Sequence, residues 1–192
     1  MTSRSLFICL LATAALLFGG CTTVTNATTP GTIEENYGER SAGARVEDNN
    51  IEQKINHNLR RTDARLGDAR INVDSYNGIV LLTGQVPSEE LKQKASDIAG
   101  AVRNVRDVHN ELAVAANLPA SQRLSDTWIN TRIRTSLGTD PTIDTNGLRF
   151  VTENATVYIM GIVTRAEADR IVNAIADLGG IQRIVKVFDY LD

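Results

Sequence analysis

The chain repeats one apolar pattern, first between residues 46 and 115 and again between residues 124 and 192. The clearest correspondence is a set of aliphatic residues at helical spacing, namely Ile51, Ile55 and Leu59 in the first copy and Ile129, Ile133 and Leu137 in the second. Each copy is close to the smallest size that one hydrophobic core supports. The duplication therefore predicts two small domains of one fold. It also makes each copy a control for the other, because a residue that the fold requires should recur.

Each copy has the pattern of a helix, two strands, a second helix and a final strand. In the first copy, Ile71 and Val73 alternate as a short strand, and Asn77-Gly78 predicts a tight turn into a strand at 79–86. Ser88 is placed to cap the second helix. The second copy follows the same order. The sequence therefore predicts an α+β protein of two tandem αββαβ domains, each with a small mixed sheet and two helices.

Polar residues mark the helix starts in the second copy. Thr164 and Glu167 have the spacing of a capping box, and Ser125 or Asp126 is placed to cap the first helix. The linker between the copies, at 116–123, is short. We therefore expect the two domains to touch.

Apolar residues also occupy the sheet faces that the helices should leave uncovered. These residues are Ile79 and Leu81 in the first copy and Tyr158, Val185 and Val187 in the second. A sheet covered on one side should carry polar residues on the other. We expect the two faces to be buried against each other.

Gly84 and Gly161 occupy corresponding places late in a strand. Glycine weakens a strand unless a bulge or a close backbone approach requires it. Its presence in both copies favours a structural role, and we assign neither glycine a chemical function.

Residues 1–20 have the pattern of an export signal, with Arg4 before an apolar run at 6–18 that is too short to span a bilayer comfortably. Cys21 follows directly, and it is the one cysteine left once Cys9 departs with the signal. The segment resembles a bacterial lipoprotein signal, in which this cysteine becomes the acylated N-terminus. An ordinary cleaved secretory signal followed by an incidental cysteine is the alternative.

The lipoprotein resemblance also implies a location. Thr22 stands second in the mature chain, where Asp would resemble an inner-membrane retention signal, so the resemblance implies outer-membrane sorting with the body facing the periplasm. Residues 21–45 are rich in Thr, Asn, Gly and Glu, and they predict a lipidated N-terminus with a flexible tether. Loss of Arg4 leaves 19 basic and 23 acidic residues, a net charge of −4. This balance disfavours nucleic-acid binding.

Three strand segments carry a family resemblance. The runs at 81–86, 159–163 and 105–112 resemble the BON domain, a small αββαβ module of bacterial envelope proteins. A lipid-anchor signal, a tether and two such copies together resemble the outer-membrane lipoproteins of this family. The resemblance implies a role in outer-membrane integrity and binding of anionic phospholipids at cell-division sites. It also implies that the first helix of the second domain is the lipid-contact element.

The helical pattern of that segment places Trp128 away from the core. At 100° per residue, Trp128 points about 140° from the centre of the face formed by Ile129, Ile133 and Leu137. Polar, small and aliphatic residues surround it on the outward side. The predicted phospholipid-binding residues are Leu124, Thr127, Trp128, Thr131, Arg132 and Thr135.

The first copy provides a comparison for this helix. Asn50 corresponds to Trp128, and Gln53, Lys54 and His57 lie on the matching face, which predicts a wholly polar surface there. Tryptophan suits a bilayer interface because its ring is apolar and its indole N–H finds polar partners. Contact with a protein partner and packing in the seam between the domains are the alternatives for Trp128.

Residues that could support catalysis are sparse. The histidines His57 and His109 have no cysteine beside them in the mature chain, and the sequence shows no metal-ligand spacing, phosphate-binding glycine loop or nucleophile elbow. We therefore expect no enzyme activity, no metal and no cofactor. The alternative to lipid binding is an envelope adaptor that binds cell-division or outer-membrane assembly proteins.

Overall fold

The computed structural model describes residues 37–192, which form two αββαβ domains in succession. The elements of the first domain are α1 (Ala42–Thr62), α2 (Ala64–Asp68), β1 (Arg70–Tyr76), β2 (Ile79–Val86), α3 (Glu89–Gly100), β3 (Asp107–Asn110) and β4 (Ala113–Val114). The elements of the second are α4 (Ala120–Leu137), β5 (Leu148–Glu153), β6 (Thr156–Val163), α5 (Arg165–Ala176) and β7 (Arg183–Tyr190). The predicted fold class and element order are confirmed.

The two sheets have the same topology. The first hairpin strand pairs antiparallel with the second, and the last strand pairs parallel with the second from its other side, giving the orders β1-β2-β3 and β5-β6-β7. The helices cover one face of each sheet. Ile51, Ile55 and Leu59 of α1 enter the first core, and Ile133 and Leu137 of α4 enter the second.

Two of the helix starts predicted from the sequence are confirmed, and two helices begin earlier than predicted. Ser88 caps α3, and Thr164 forms the predicted capping box at the start of α5. The prediction that Ser125 or Asp126 caps the first helix of the second domain is wrong, because α4 begins at Ala120 without a side-chain cap. Similarly, α1 begins at Ala42, so the last part of the predicted tether is helical.

An apolar seam joins the two sheets on the faces that the helices leave uncovered. Tyr76, Ile79 and Leu81 of the first domain pack with residues of β6 and β7. Leu81 and Val187 are 0% and 1% exposed. The predicted packing of the two sheet faces against each other is therefore confirmed, and β2 is buried along its whole length because both of its faces are covered.

Ion pairs and hydrogen bonds surround this seam. The buried carboxylate of Glu153 accepts hydrogen bonds from Arg70 and from Gln85. On another side, Arg106 and Asn77 donate to the carboxylate of Asp189. The contacts with Arg106 and Asn77 hold the pKa of Asp189 below its usual value, although partial burial opposes them.

A buried aspartate in each first helix holds the hairpin turn of its own domain. The Asp48 carboxylate accepts hydrogen bonds from the N–H groups of Asn77 and Gly78 at 2.8 and 2.9 Å. In the second domain, Asp126 accepts from the N–H groups of Asn154 and Ala155, both at 2.9 Å. Asp126 therefore belongs to a structural contact that recurs in both copies, which sequence reasoning missed.

The two glycines predicted to be structural lie where a side chain would collide with a neighbouring strand. Gly84 has φ +119°, and a Cβ there would lie 2.0 Å from the Arg70 carbonyl oxygen. At Gly161 a Cβ would lie 2.7 Å from a Leu148 methyl carbon. The final strand of the first domain is interrupted between β3 and β4, beside Gly84, whereas β7 is continuous.

Residues 37–41, the N-terminal strap, lie against both domains. The Arg40 guanidinium pairs with Asp48 at 2.8 Å and lies 3.8 Å from the centre of the Tyr76 ring. The carbonyl oxygen of Gly38 is close to Gly147 of the second domain, where a Cβ would lie 2.9 Å from it. The chain is therefore fixed to the body before α1 begins.

Candidate functional site

Helix α4 presents one buried face and one exposed face. Ile129, Ile133 and Leu137 are buried in the second core. On the opposite side, Leu124 and Trp128 are 70% and 66% exposed. Two large apolar side chains, one helical turn apart, are thus open to solvent. They lie on the side of the helix where an amphipathic helix normally carries polar residues.

All six residues of the predicted lipid site lie on this exposed side, and we call them the α4 outer face: Leu124, Thr127, Trp128, Thr131, Arg132 and Thr135. Trp128 is not a member of the apolar seam between the domains. The interpretation in which Trp128 fills that seam is therefore wrong. The outer face remains a candidate contact surface for a lipid or a protein.

Arg132 is held in place beside Trp128. Its Nη1 donates a hydrogen bond to the carbonyl oxygen of Gly179 at 2.9 Å, and its guanidinium carbon lies 5.9 Å from the centre of the Trp128 ring. A Cβ at residue 179 would lie 3.6 Å from Nη1, an ordinary van der Waals contact, so this hydrogen bond does not depend on glycine there. The remaining guanidinium N–H groups can donate to an anion.

The hydroxyl groups of the three threonines on the outer face donate hydrogen bonds within the helix. The Thr127, Thr131 and Thr135 hydroxyls each donate to the backbone carbonyl oxygen four residues earlier, at 2.9, 3.0 and 3.0 Å. A hydroxyl has only one proton to donate. In this conformation a phosphate would therefore be bound by arginine and not by these threonines.

The exposed surface of α4 carries cations without acidic neighbours on the same helix. Arg123, Arg132 and Arg134 are exposed, whereas the one acidic residue of the helix, Asp126, is buried. Within residues 37–192, none of these three arginines forms an ion pair. The chain has a formal net charge of −3, so this helix is a local positive region on an acidic protein.

The matching face of α1 differs less than the sequence pattern indicates. Val46 lies one turn before Asn50, at the position that corresponds to Leu124, and it is 61% exposed. The prediction of a wholly polar surface in the first copy is therefore wrong. Lys54 supplies a cation where α4 has Arg132, but it pairs with Glu47 at 3.8 Å. The two copies thus differ mainly in Trp128 and in Arg132, which forms no ion pair within residues 37–192.

The predicted lipidation site and the possibility of a membrane span or a metal site concern other parts of the chain. Cys21, with the predicted signal and most of the tether, falls outside the described residues. In the part that the structure describes, no helix is both long and apolar enough to cross a membrane. Within that same part, no three His, Cys, Asp or Glu side chains come together in a group that could hold a metal ion.

Comparison with known proteins supports the resemblance seen in the sequence. The family model described as BON domain matches residues 47–116 and 125–192. The outer membrane lipoprotein DolP of Haemophilus influenzae is 30% identical over 179 residues, which cover 93% of this chain and 88% of that protein. A 21 kDa hemolysin of Actinobacillus pleuropneumoniae is 31% identical, over 79% of this chain and 78% of the relative.

Solved structures add little to this assignment. Two structures of CdsD, a structural protein of the type III secretion system of Chlamydia trachomatis, align at 12% identity with TM-scores of 0.31 and 0.30. They cover 74% and 73% of this chain, and 92% and 96% of their own chains. TM-scores this low do not establish a common fold. The two family matches, by contrast, span most of the sequence, and the chain belongs to the BON domain family as a two-domain member similar to an outer membrane lipoprotein.

Proposed function

We propose that this protein is an outer-membrane lipoprotein, anchored through acylated Cys21, that binds anionic phospholipid through the α4 outer face. Its body faces the periplasm, and its lipid contact supports the integrity of the outer membrane at division sites. The observation that carries the proposal is the joint exposure of Leu124 and Trp128 beside Arg132. Similarity to an outer membrane lipoprotein supports the location.

The chemistry of the face fits an anionic bilayer surface. Leu124 and Trp128 can enter the boundary between headgroups and acyl chains, and the indole N–H can remain among polar groups. Arg132 on the face, and Arg123 and Arg134 on the exposed flank of α4, each contribute about 1 kcal/mol of attraction near an anionic surface. A neutral bilayer would receive only the apolar contribution.

Anchor and face have different strengths and therefore different roles. Acyl chains contribute about 0.8 kcal/mol per buried methylene, so more than one chain holds the protein to the membrane stably. The outer face contributes only a few kcal/mol, but the anchor already raises its effective concentration at the membrane. The anchor would thus keep the protein on the membrane, while α4 selects regions rich in anionic lipid.

Substitution of Trp128 or Arg132 should weaken binding to anionic vesicles in distinct ways. For a Cys21→Ser chain that starts at residue 21, we expect Trp128→Ala to weaken binding to phosphatidylglycerol vesicles by about 2 kcal/mol, roughly 30-fold. Arg132→Ala should weaken binding about fivefold at low salt and less at high salt, because it removes about 1 kcal/mol of screened attraction. Vesicle co-sedimentation measures both effects.

The first domain supplies the matched control. Asn50→Ala changes the residue that corresponds to Trp128, and it should leave vesicle binding unchanged. Equal binding by wild type and Trp128→Ala would contradict the proposal. If the wild type does not bind vesicles but binds an envelope protein that the Trp128→Ala variant does not bind, the outer face is an adaptor surface instead.

A further inference from the structure

The sequence contains two Asn-Gly pairs, Asn77-Gly78 and Asn146-Gly147. Asparagine before glycine is prone to deamidation, because the glycine N–H meets no side-chain crowding when it approaches the asparagine side chain. The glycine nitrogen bonds to the asparagine Cγ, the Cγ–Nδ2 bond breaks, and ammonia leaves with the proton from the glycine nitrogen. Water then opens the cyclic imide at either carbonyl to give aspartate or isoaspartate. The net reaction consumes one water, releases one ammonia and needs no oxidant or reductant.

The structure holds the first pair in an unreactive position. The Gly78 N–H, which would have to attack, donates to the buried carboxylate of Asp48 at 2.9 Å. The Asn77 side-chain amide, which would be attacked, donates to Asp189 at 2.8 Å. Cyclisation at this turn would break both charge-assisted hydrogen bonds.

The second pair lies in the loop between α4 and β5 and is held differently. Asn146 is exposed, and within residues 37–192 its side-chain amide makes no hydrogen bond. Its backbone N–H alone is engaged, and it donates to Asp144 Oδ1 at 2.9 Å. The amide group is therefore free to turn toward the following peptide nitrogen.

The residue after Asn146 is part of the contact between the domains. The Gly147 carbonyl oxygen accepts a hydrogen bond from the hydroxyl of Tyr76, a residue of the apolar seam. Gly147 also lies against Gly38 of the N-terminal strap. Isoaspartate at 146 would insert one methylene into the main chain just before the Gly147 nitrogen and would add a negative charge.

We propose that Asn146 is a site of spontaneous deamidation, that its conversion to isoaspartate displaces the Gly147 carbonyl from Tyr76, and that Asn77 is protected by the fold. The modification converts a fixed contact between the domains into a weaker one. It is independent of the proposed lipid function, since neither residue lies on the α4 outer face.

The first test compares the two pairs in one sample. The full mature chain is incubated in detergent at mildly alkaline pH, and peptide mass spectrometry follows replacement of the amide at each site. In the folded protein, we expect Asn146 to convert at least about tenfold faster than Asn77, a ratio equivalent to about 1.4 kcal/mol. In urea the two rates should become similar. Equal rates in the folded protein, or a ratio that persists in urea, would overturn the structural explanation.

The second test examines the contact between the domains. Deamidated protein, a mixture of the isoaspartate and aspartate forms, is separated by its added charge, and hydrogen exchange is measured in β1 and β5. We expect faster exchange in both strands, similar to that of Tyr76→Phe, which removes the same hydrogen bond. Asn146→Ser, incubated identically, should not change. If Asn146→Asp, which adds the charge without the methylene, gives the same exchange as the deamidated mixture, the proposed displacement of Gly147 is wrong.

Discussion

Replacement of Asp48 by alanine is expected to lower the free energy of unfolding by about 3–5 kcal/mol. Its buried carboxylate accepts hydrogen bonds from Arg40, from the Ser75 hydroxyl and from the N–H groups of Asn77 and Gly78. Alanine would leave these donors without their acceptor in a place that water reaches poorly. Urea unfolding followed by circular dichroism measures the change.

The matched control for Asp48 is an exposed aspartate of the same domain. Asp68→Ala, at the end of α2, should change the free energy of unfolding by less than about 0.5 kcal/mol. Asp126→Ala should resemble Asp48→Ala, because Asp126 accepts from the corresponding turn of the second domain. A small effect of Asp48→Ala, similar to that of Asp68→Ala, would contradict the role assigned to the buried carboxylate.

The same carboxylate predicts a pH dependence. Burial alone would raise the pKa of Asp48, but hydrogen bonds from Gly78, Arg40, Ser75 and Asn77 outweigh it and hold that pKa below its usual value. A carboxylate with a lowered pKa in the folded state contributes stability that is present above its unfolded pKa, near pH 4, and is lost as the pH falls through the folded pKa. Asp48→Asn should therefore lose stability at neutral pH and show a shallower decline below about pH 4.

Replacement of Gly84 by alanine is expected to lower the free energy of unfolding by about 3–5 kcal/mol. Two effects combine, because φ is +119° and the new Cβ would lie 2.0 Å from the Arg70 carbonyl oxygen. The colliding atom is backbone of the paired strand, so β1 would have to move away from β2. Thermal unfolding and hydrogen exchange in β1 both report this change.

Two other glycines calibrate the effect of Gly84→Ala. Gly43 lies exposed near the start of α1, where a Cβ meets only the Ser41 hydroxyl at 3.8 Å, and Gly43→Ala should stabilise the protein by about 0.5–1 kcal/mol. Gly161→Ala should be intermediate, because its nearest obstacle is the end of the Leu148 side chain. An effect of Gly84→Ala no larger than that of Gly161→Ala would contradict the backbone collision.

The sequence was most informative where the physical signal was periodic. Leu81 and Val187 alternate along their strands with residues that face the helices. Apolar residues on both faces of a strand indicate that both faces are buried, and this pattern predicted the seam between the sheets correctly. The outward direction of Trp128 followed in the same way from the helical period. Periodicity in the sequence determines which face of a helix or strand a side chain occupies. Burial and exposure were therefore predicted better than individual contacts between side chains.

Contacts that depend on the folded chain were harder to predict. Asp48 and Asp126 recur at corresponding positions, and this was a usable signal, but Asp126 was interpreted as a helix cap because aspartate is common there. The start of α4 was missed because Pro119 offers no side-chain cap. Nor does the sequence show that the Thr131 hydroxyl donates to the backbone instead of a ligand, since that choice depends on its rotamer.

The N-terminal strap has a mechanical consequence for a protein held at its N-terminus. Helix ends fray readily, so tension applied directly at α1 would unwind it one turn at a time. Here Arg40 joins Asp48 and covers the Tyr76 ring, and Gly38 lies against Gly147 of the other domain. A pull on the N-terminus would therefore load Asp48 inside α1, Tyr76 of β1 and Gly147 of the second domain together, before the first turn of α1 could unwind. The body should resist tension as one unit, and its first mechanical failure should be release of the strap.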